Sequence, residues 1–77
     1  MTDTNKISRP FDMLNNSINK QILVLLKDNI HVRGKLKAFD VHMNVVIEDA
    51  EELKDGKVKT KYVETLLRGD NIVWITV

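Results

Sequence analysis

Residues 32–52 read VRGKLKAFDVHMNVVIEDAEE, and the fold turns on how this run divides. The first half alternates. Arg33, Lys35 and Lys37 point one way while Val32, Leu36 and Ala38 point the other, the period of a half-buried strand. The second half opens on an unbroken apolar triplet, Val45-Val46-Ile47, and turns acidic from Glu48 onward. Between them stand Asp40, His42 and Asn44, three polar groups at the entrance to what reads as the core. The run is therefore two strands with a polar connection. Gly34, inside the first strand, marks a bulge, a sharp bend or a close backbone approach. A bend there lets one long strand serve both halves of a small closed sheet.

The flanks repeat the pattern. QILVLLK (21–27) is a β-branched and leucine-rich strand followed by Asp28-Asn29, a tight turn. KDGK (54–57) is a hairpin turn, because Asp-Gly tolerates positive φ. KVKTKYVETLL (57–67) is a fourth strand, RGDN (68–71) a turn, and IVWITV (72–77) a fifth strand. Upstream, SRPFDMLNNSIN (8–19) predicts a short helix. Pro10 suits the first turn, Asp12 complements the positive end of the dipole, and Phe11, Leu14 and Ile18 share one stripe. Residues 1–8 hold few apolar groups and are expected to fray, leaving 9–77 as a single domain. The expected fold is all-β with a short N-terminal helix: a small, strongly bent, five-stranded antiparallel barrel.

With 77 residues the chain buries only about 60% of its unfolded surface. Domains of this size need a staple, and with no cysteine present the candidate is a partner subunit. IVWITV is apolar on both faces, and an exposed apolar edge invites pairing with another chain. His31 and His42 are too few and too separate for a zinc site, so no metal and no cofactor is expected. No apolar run approaches the roughly 18 residues of a membrane span. The polar start MTDTNKISRP is neither a signal peptide nor an anchor, and the lack of cysteine is compatible with a reducing cytoplasm.

Net charge is +1, but it is distributed in blocks. Lys27, Arg33, Lys35 and Lys37 are basic. Glu48, Asp49, Glu51, Glu52 and Asp55 are acidic, and Lys57, Lys59 and Lys61 are basic again. These are either solvated strand faces or a surface for phosphates. No nucleophile, base and orienting group stand together, so the chain does not read as an enzyme.

The run from Val32 to Glu52 resembles the first conserved motif of the Sm and Sm-like (LSm) proteins, with its glycine at Gly34, its Asp at Asp40 and its Asn at Asn44. LLRGDNIVWI resembles the second motif through Arg68-Gly69, and the helix beginning RPFDML is similar to that of archaeal-type members. The resemblance spans residues 9–77. It implies an Sm-like (SH3-like) barrel whose subunits join through the fourth strand of one and the fifth of the next, most often as a homomeric ring of seven. It also implies that single-stranded, uridine-rich RNA binds around the inner rim of the pore, the ring acting as an RNA chaperone or scaffold.

On that resemblance the uridine pocket consists of His42, Asn44, Arg68, Gly69 and Asp70. The residue types suit the base. Uracil offers an N3–H donor and O4 and O2 acceptors, and an Asn amide can match N3–H and O4. Cytosine presents the reverse pattern, so the amide must be kept from flipping. Asp70 is carried over as that lock, with Asp40 kept as a loop-shaping residue. His42 and Arg68 would cover the two faces of the ring, and Gly69 would permit close backbone approach. Arg9 and Phe39 are carried over as a second, outer RNA contact, although Phe39 lacks the hydroxyl of the Tyr some archaeal relatives place there. Trp74 reads as a packing residue. Taken one at a time, Asn44, Asp40 and Arg68-Gly69-Asp70 are ordinary turn residues. The competing reading is a small β-barrel assembly module with only incidental RNA binding.

Overall fold

The computed structural model describes residues 9–77, so the frayed segment expected at 1–8 lies outside the described residues. A short helix α1 (Pro10–Asn15) precedes five strands: β1 (Gln21–Leu26), β2 (Ile30–Phe39), β3 (Val45–Lys54), β4 (Lys57–Leu67) and β5 (Ile72–Thr76). The strands form one antiparallel sheet in the order β4-β3-β2-β1-β5. It bends around a core of Leu14, Ile22, Val24, Leu26, Val32, Leu36, Val45, Ile47 and Ala50. Because β5 returns to pair with β1, β4 and β5 are left as the two edges, with no ladder between them.

The bend has a local cause. Register shifts at Arg33/Lys35, where Gly34 lies against Ile47, Glu48 and Ala50 of β3. A Cβ on Gly34 would lie 2.5 Å from Ile47 Cγ2 and 2.9 Å from the Glu48 carbonyl, so only glycine permits this approach. Opposite it, Asp49 takes a left-handed φ of 53°, a conformation that Asp tolerates better than most residues. A second shift, at Leu36/Ala38, breaks the alternation of β2. Ala38, expected to face inward, is exposed, and Phe39 is half-buried instead.

Both predicted hairpin turns carry positive φ: Asp28 and Asn29 at 68° and 62°, Asp55 and Gly56 at 55° and 78°. In α1, Pro10 occupies the first turn behind Arg9 as N-cap, and Asp12 lies in that turn. The helix ends sooner than its apolar stripe suggested. Leu14 enters the core from the helix, whereas Ile18 reaches it from the turn that follows. The chain then docks on β2 through Asn19 N–H to the Leu36 carbonyl (2.7 Å) and Leu36 N–H to the Lys20 carbonyl (3.0 Å). No helix among the described residues is long and apolar enough to cross a membrane.

Candidate nucleic-acid interface

The β2–β3 connection (40–44) is closed by its own polar groups. Asp40 N–H donates to the Asn44 carbonyl at 3.1 Å, and Met43 N–H to the Asp40 carbonyl at 3.0 Å. The Asp40 carboxylate accepts from three donors: His42 N–H (2.9 Å), Asn44 N–H (3.1 Å) and the Asn44 side-chain amide (3.1 Å). Desolvation raises the Asp40 pKa, but these hydrogen bonds, chiefly from Asn44, together outweigh it and hold the carboxyl below its ordinary value. To complete the turn, Met43 takes a left-handed φ of 64°. An unbranched side chain tolerates this at some cost.

The second loop reaches the first through one residue. Gly69 N–H donates to Asn44 Oδ1 at 2.8 Å, across 25 positions of sequence. A Cβ on Gly69 would collide with the His42 carbonyl and lie 2.9 Å from the Met43 carbonyl carbon. Gly69 is therefore required for contact between the loops, and its φ is not the reason, since Gly56 is the glycine at positive φ. His42, Asn44, Arg68 and Asp70 together line an open hollow of about 450 Å³.

The position of the amide lock differs from the expectation. Among the described residues no hydrogen bond joins Asp70 to Asn44; its carboxylate lies 3.6 Å from Arg68 Nη2, both side chains well exposed. The Asn44 amide is held by Asp40 on its nitrogen and by Gly69 on its oxygen. Asp40 thus both closes the loop and holds the Asn44 amide, while Asp70 lies beside Arg68. The Asp-x-x-x-Asn spacing was the available signal, since Asp side chains bind backbone N–H groups a few residues on. Met43 was missed, and no sequence signal marks a methionine for left-handed backbone.

The other anticipated residues lie elsewhere. Phe39 packs on the core and meets Phe11 edge-on, with ring centroids 5.4 Å apart. Arg9 pairs with Asp12 at 3.1 Å, and this interaction raises the Arg9 pKa. Trp74 is 42% exposed, so it is not a core residue, and it meets His31 edge-on. The charge blocks fold onto one another. Glu51 takes Arg33 at 2.7 Å and Lys61 at 3.7 Å, and Glu48 takes Lys35 and Lys37 at 4.0 and 3.9 Å. Basic β2, acidic β3 and the middle of basic β4 neutralise each other, which removes most of the anticipated phosphate surface. Among the described residues no three metal-ligating side chains cluster.

Residues 12–77 match the LSM domain family. The chain belongs to the Sm-like (LSM) family. This Sm-like chain is 45% identical over 69 residues to an snRNP Sm-like protein of Methanosarcina acetivorans, covering 90% of this chain and 96% of that one. It is similar, with a TM-score of 0.87 and 42% identity, to the solved structure of a Pyrococcus abyssi Sm protein in complex with a uridine heptamer, covering 90% and 97% of the two chains. It is also similar to a heptameric archaeal Sm protein, with a TM-score of 0.78, 45% identity, and 83% and 93% of the chains covered. The archaeal-type resemblance and the bent five-stranded barrel both hold.

Proposed function

We propose that this protein is a non-catalytic RNA-binding ring that takes single-stranded, uridine-rich RNA, one base per subunit, at the inner rim of its pore, and acts in the cytoplasm as an RNA chaperone or scaffold. The observation that carries the reading is the clamped Asn44 amide. With Oδ1 accepting from Gly69 and Nδ2 donating to Asp40, the amide keeps one free lone pair and one free N–H. Asn44 lines the hollow, and on this reading those two groups complement N3–H and O4 of uracil there. The clamp prevents the flip that cytosine needs. His42 and Arg68 line the same hollow and supply flat groups for the faces of the base.

The ring follows from the two open edges. Val63 and Leu66 of β4 are 84% and 58% exposed. An apolar groove of about 270 Å³ runs beside β5, walled by Met13, Met43, Gly69, Ile72 and Ile75 among others. Edge β4 of one copy against edge β5 of the next buries both, and the relatives solved as heptameric rings support a count of seven. Copies around a pore then bind consecutive bases of one strand, each contact after the first being intramolecular.

The test compares oligo-U with oligo-C binding in two variants. Asp40→Asn replaces the acceptor and should narrow the preference for U. Asp70→Asn should leave the ratio unchanged while weakening both through Arg68. A ratio that collapses in Asp70→Asn and survives in Asp40→Asn would reverse the assignment. Equal binding of U and C by the parent protein would remove the pocket altogether.

A further inference from the structure

The two loops of the pocket alternate between two spaces. His42 and Asn44 line the open hollow, while Met43 between them lines the apolar groove beside β5. In the second loop Arg68 and Asp70 line the hollow, while Gly69 between them lines the groove. The two groove residues meet. A Cβ on Gly69 would lie 2.9 Å from the Met43 carbonyl carbon, so the backbones leave no room for a side chain between them. Met43 and Gly69 therefore stand as a wall, with the base hollow on one side and the groove on the other. Both set the position of Asn44. Met43 precedes it in the chain, and Gly69 N–H donates to its Oδ1 at 2.8 Å.

Methionine is a strained choice for this wall. Its φ of 64° is left-handed backbone, which glycine adopts far more readily. Such strain persists where the surrounding structure over-determines it, and it clusters at ligand clamps. The Met43 N–H bond to the Asp40 carbonyl (3.0 Å) needs only backbone, so glycine would make it equally well. What glycine lacks is the side chain. Met43 is half-buried, packs on the core and shares the groove with Met13, Val73, Trp74 and Ile75. An unbranched thioether chain fills such an irregular gap. On the ring reading, β4 of the next subunit covers this groove with its exposed apolar residues, Val63 and Leu66. A covered groove leaves the Met43 side chain no other place to go, and through it the backbone of the base loop is held.

We propose that Met43 is a positioning residue that couples the groove to the base pocket: its side chain, confined by the adjoining subunit, fixes the backbone that presents His42 and Asn44 to uracil. The proposal rests on the ring and pocket readings above. The probes are uridine monophosphate and cytidine monophosphate, titrated into the full chain by calorimetry, because a single nucleotide reports one pocket without avidity. Met43→Ala should weaken uridine monophosphate about fivefold and narrow its preference over cytidine monophosphate, with the ring mass unchanged. Met43→Leu keeps the volume and should bind within about twofold of the parent. Met43→Gly removes the backbone strain together with the side chain and should weaken binding as Met43→Ala does. If it binds as tightly as the parent, Met43 is a turn residue and the coupling is overturned. Val73→Ala thins the groove without touching either loop and should shift affinity and preference in the same direction; it decides the matter if Met43→Ala loses the ring. A parent that prefers uridine monophosphate, with Met43→Ala and Val73→Ala both within about twofold of it, would overturn the coupling alone. Equal binding of the two nucleotides by the parent would overturn the pocket reading first, and a monomeric parent the ring reading.

Discussion

Gly69→Ala is the most direct perturbation of the contact between the two loops. The added methyl would lie 2.9 Å from the Met43 carbonyl carbon and 3.0 Å from its oxygen, and nearer still to the His42 carbonyl. Ordinary contact for a Cβ begins at 3.4 Å, so the loops must part by about half an ångström at Met43 and by more at His42. The obstructing atoms are backbone, held by the Asp40 turn, and cannot rotate aside. The Gly69 N–H to Asn44 Oδ1 bond, now 2.8 Å, is stretched beyond useful length. Losing it costs about 1 kcal/mol, and the forced displacement adds roughly 1–3 kcal/mol. In a domain of this size that lowers the melting temperature by roughly 8 °C or more. The Asn44 amide also loses one of its two restraints. A loss of about 1 kcal/mol per pocket is roughly fivefold for one base, and over three consecutive pockets it becomes about two orders of magnitude. Fluorescence anisotropy with a labelled U-oligomer, read beside a thermal melt and native mass, separates these effects. A Gly69→Ala protein that melts with the parent and binds oligo-U within twofold of it would refute the clamp.

Gly34→Ala tests the bend without touching the pocket. Its methyl meets Ile47 Cγ2 and the Glu48 carbonyl, so stability should fall by about 2–3 kcal/mol in denaturant melts. Oligo-U affinity of the protein that remains folded should be unchanged. Acid should act through Asp40 and Glu51, whose folded-state pKa values are both lowered. A lowered carboxyl pKa contributes stability that is fully present above the unfolded value and lost as pH falls through the folded one. Oligo-U binding and melting temperature should thus hold down to about pH 4.5 and decline below about pH 4. Asp40→Asn should flatten the binding part of that decline, and an acid limb identical in parent and variant would exclude Asp40 from it.

The legible parts of this chain are those where one residue type has one physical use. Asp-Gly at 55–56 and Asp-Asn at 28–29 marked their turns because those types accept positive φ, and they carry it. Gly34 marked the bend because a strand-interior glycine has few other uses. What failed was extrapolation of a simple period. Ala38 was expected inside because alternation was carried through a register shift, and Ile18 was placed on a helix that had already ended at Asn15. Both errors arise where tertiary closure of the barrel overrides local pattern.

The amide lock shows where the sequence stops being decisive. Asp40 and Asp70 are chemically equal candidates, both a few residues from a site motif, and no propensity separates them. What separates them is loop closure. The chain from Asp40 to Asn44 returns on itself through Met43 in a left-handed conformation, which puts the Asp40 carboxylate against the Asn44 amide. Asp70 follows a glycine whose N–H is already committed to the opposite side of that amide, so its own side chain is directed at Arg68. One N–H from Gly69 therefore assigns both acids. It takes one lone pair of the Asn44 oxygen from the second loop, leaves the nitrogen to the first, and on the proposed function places selectivity for uracil in the β2–β3 loop. If Asp40→Asn and Asp70→Asn shifted the U-to-C ratio equally, the division of labour between the loops would be wrong even though the pocket stood.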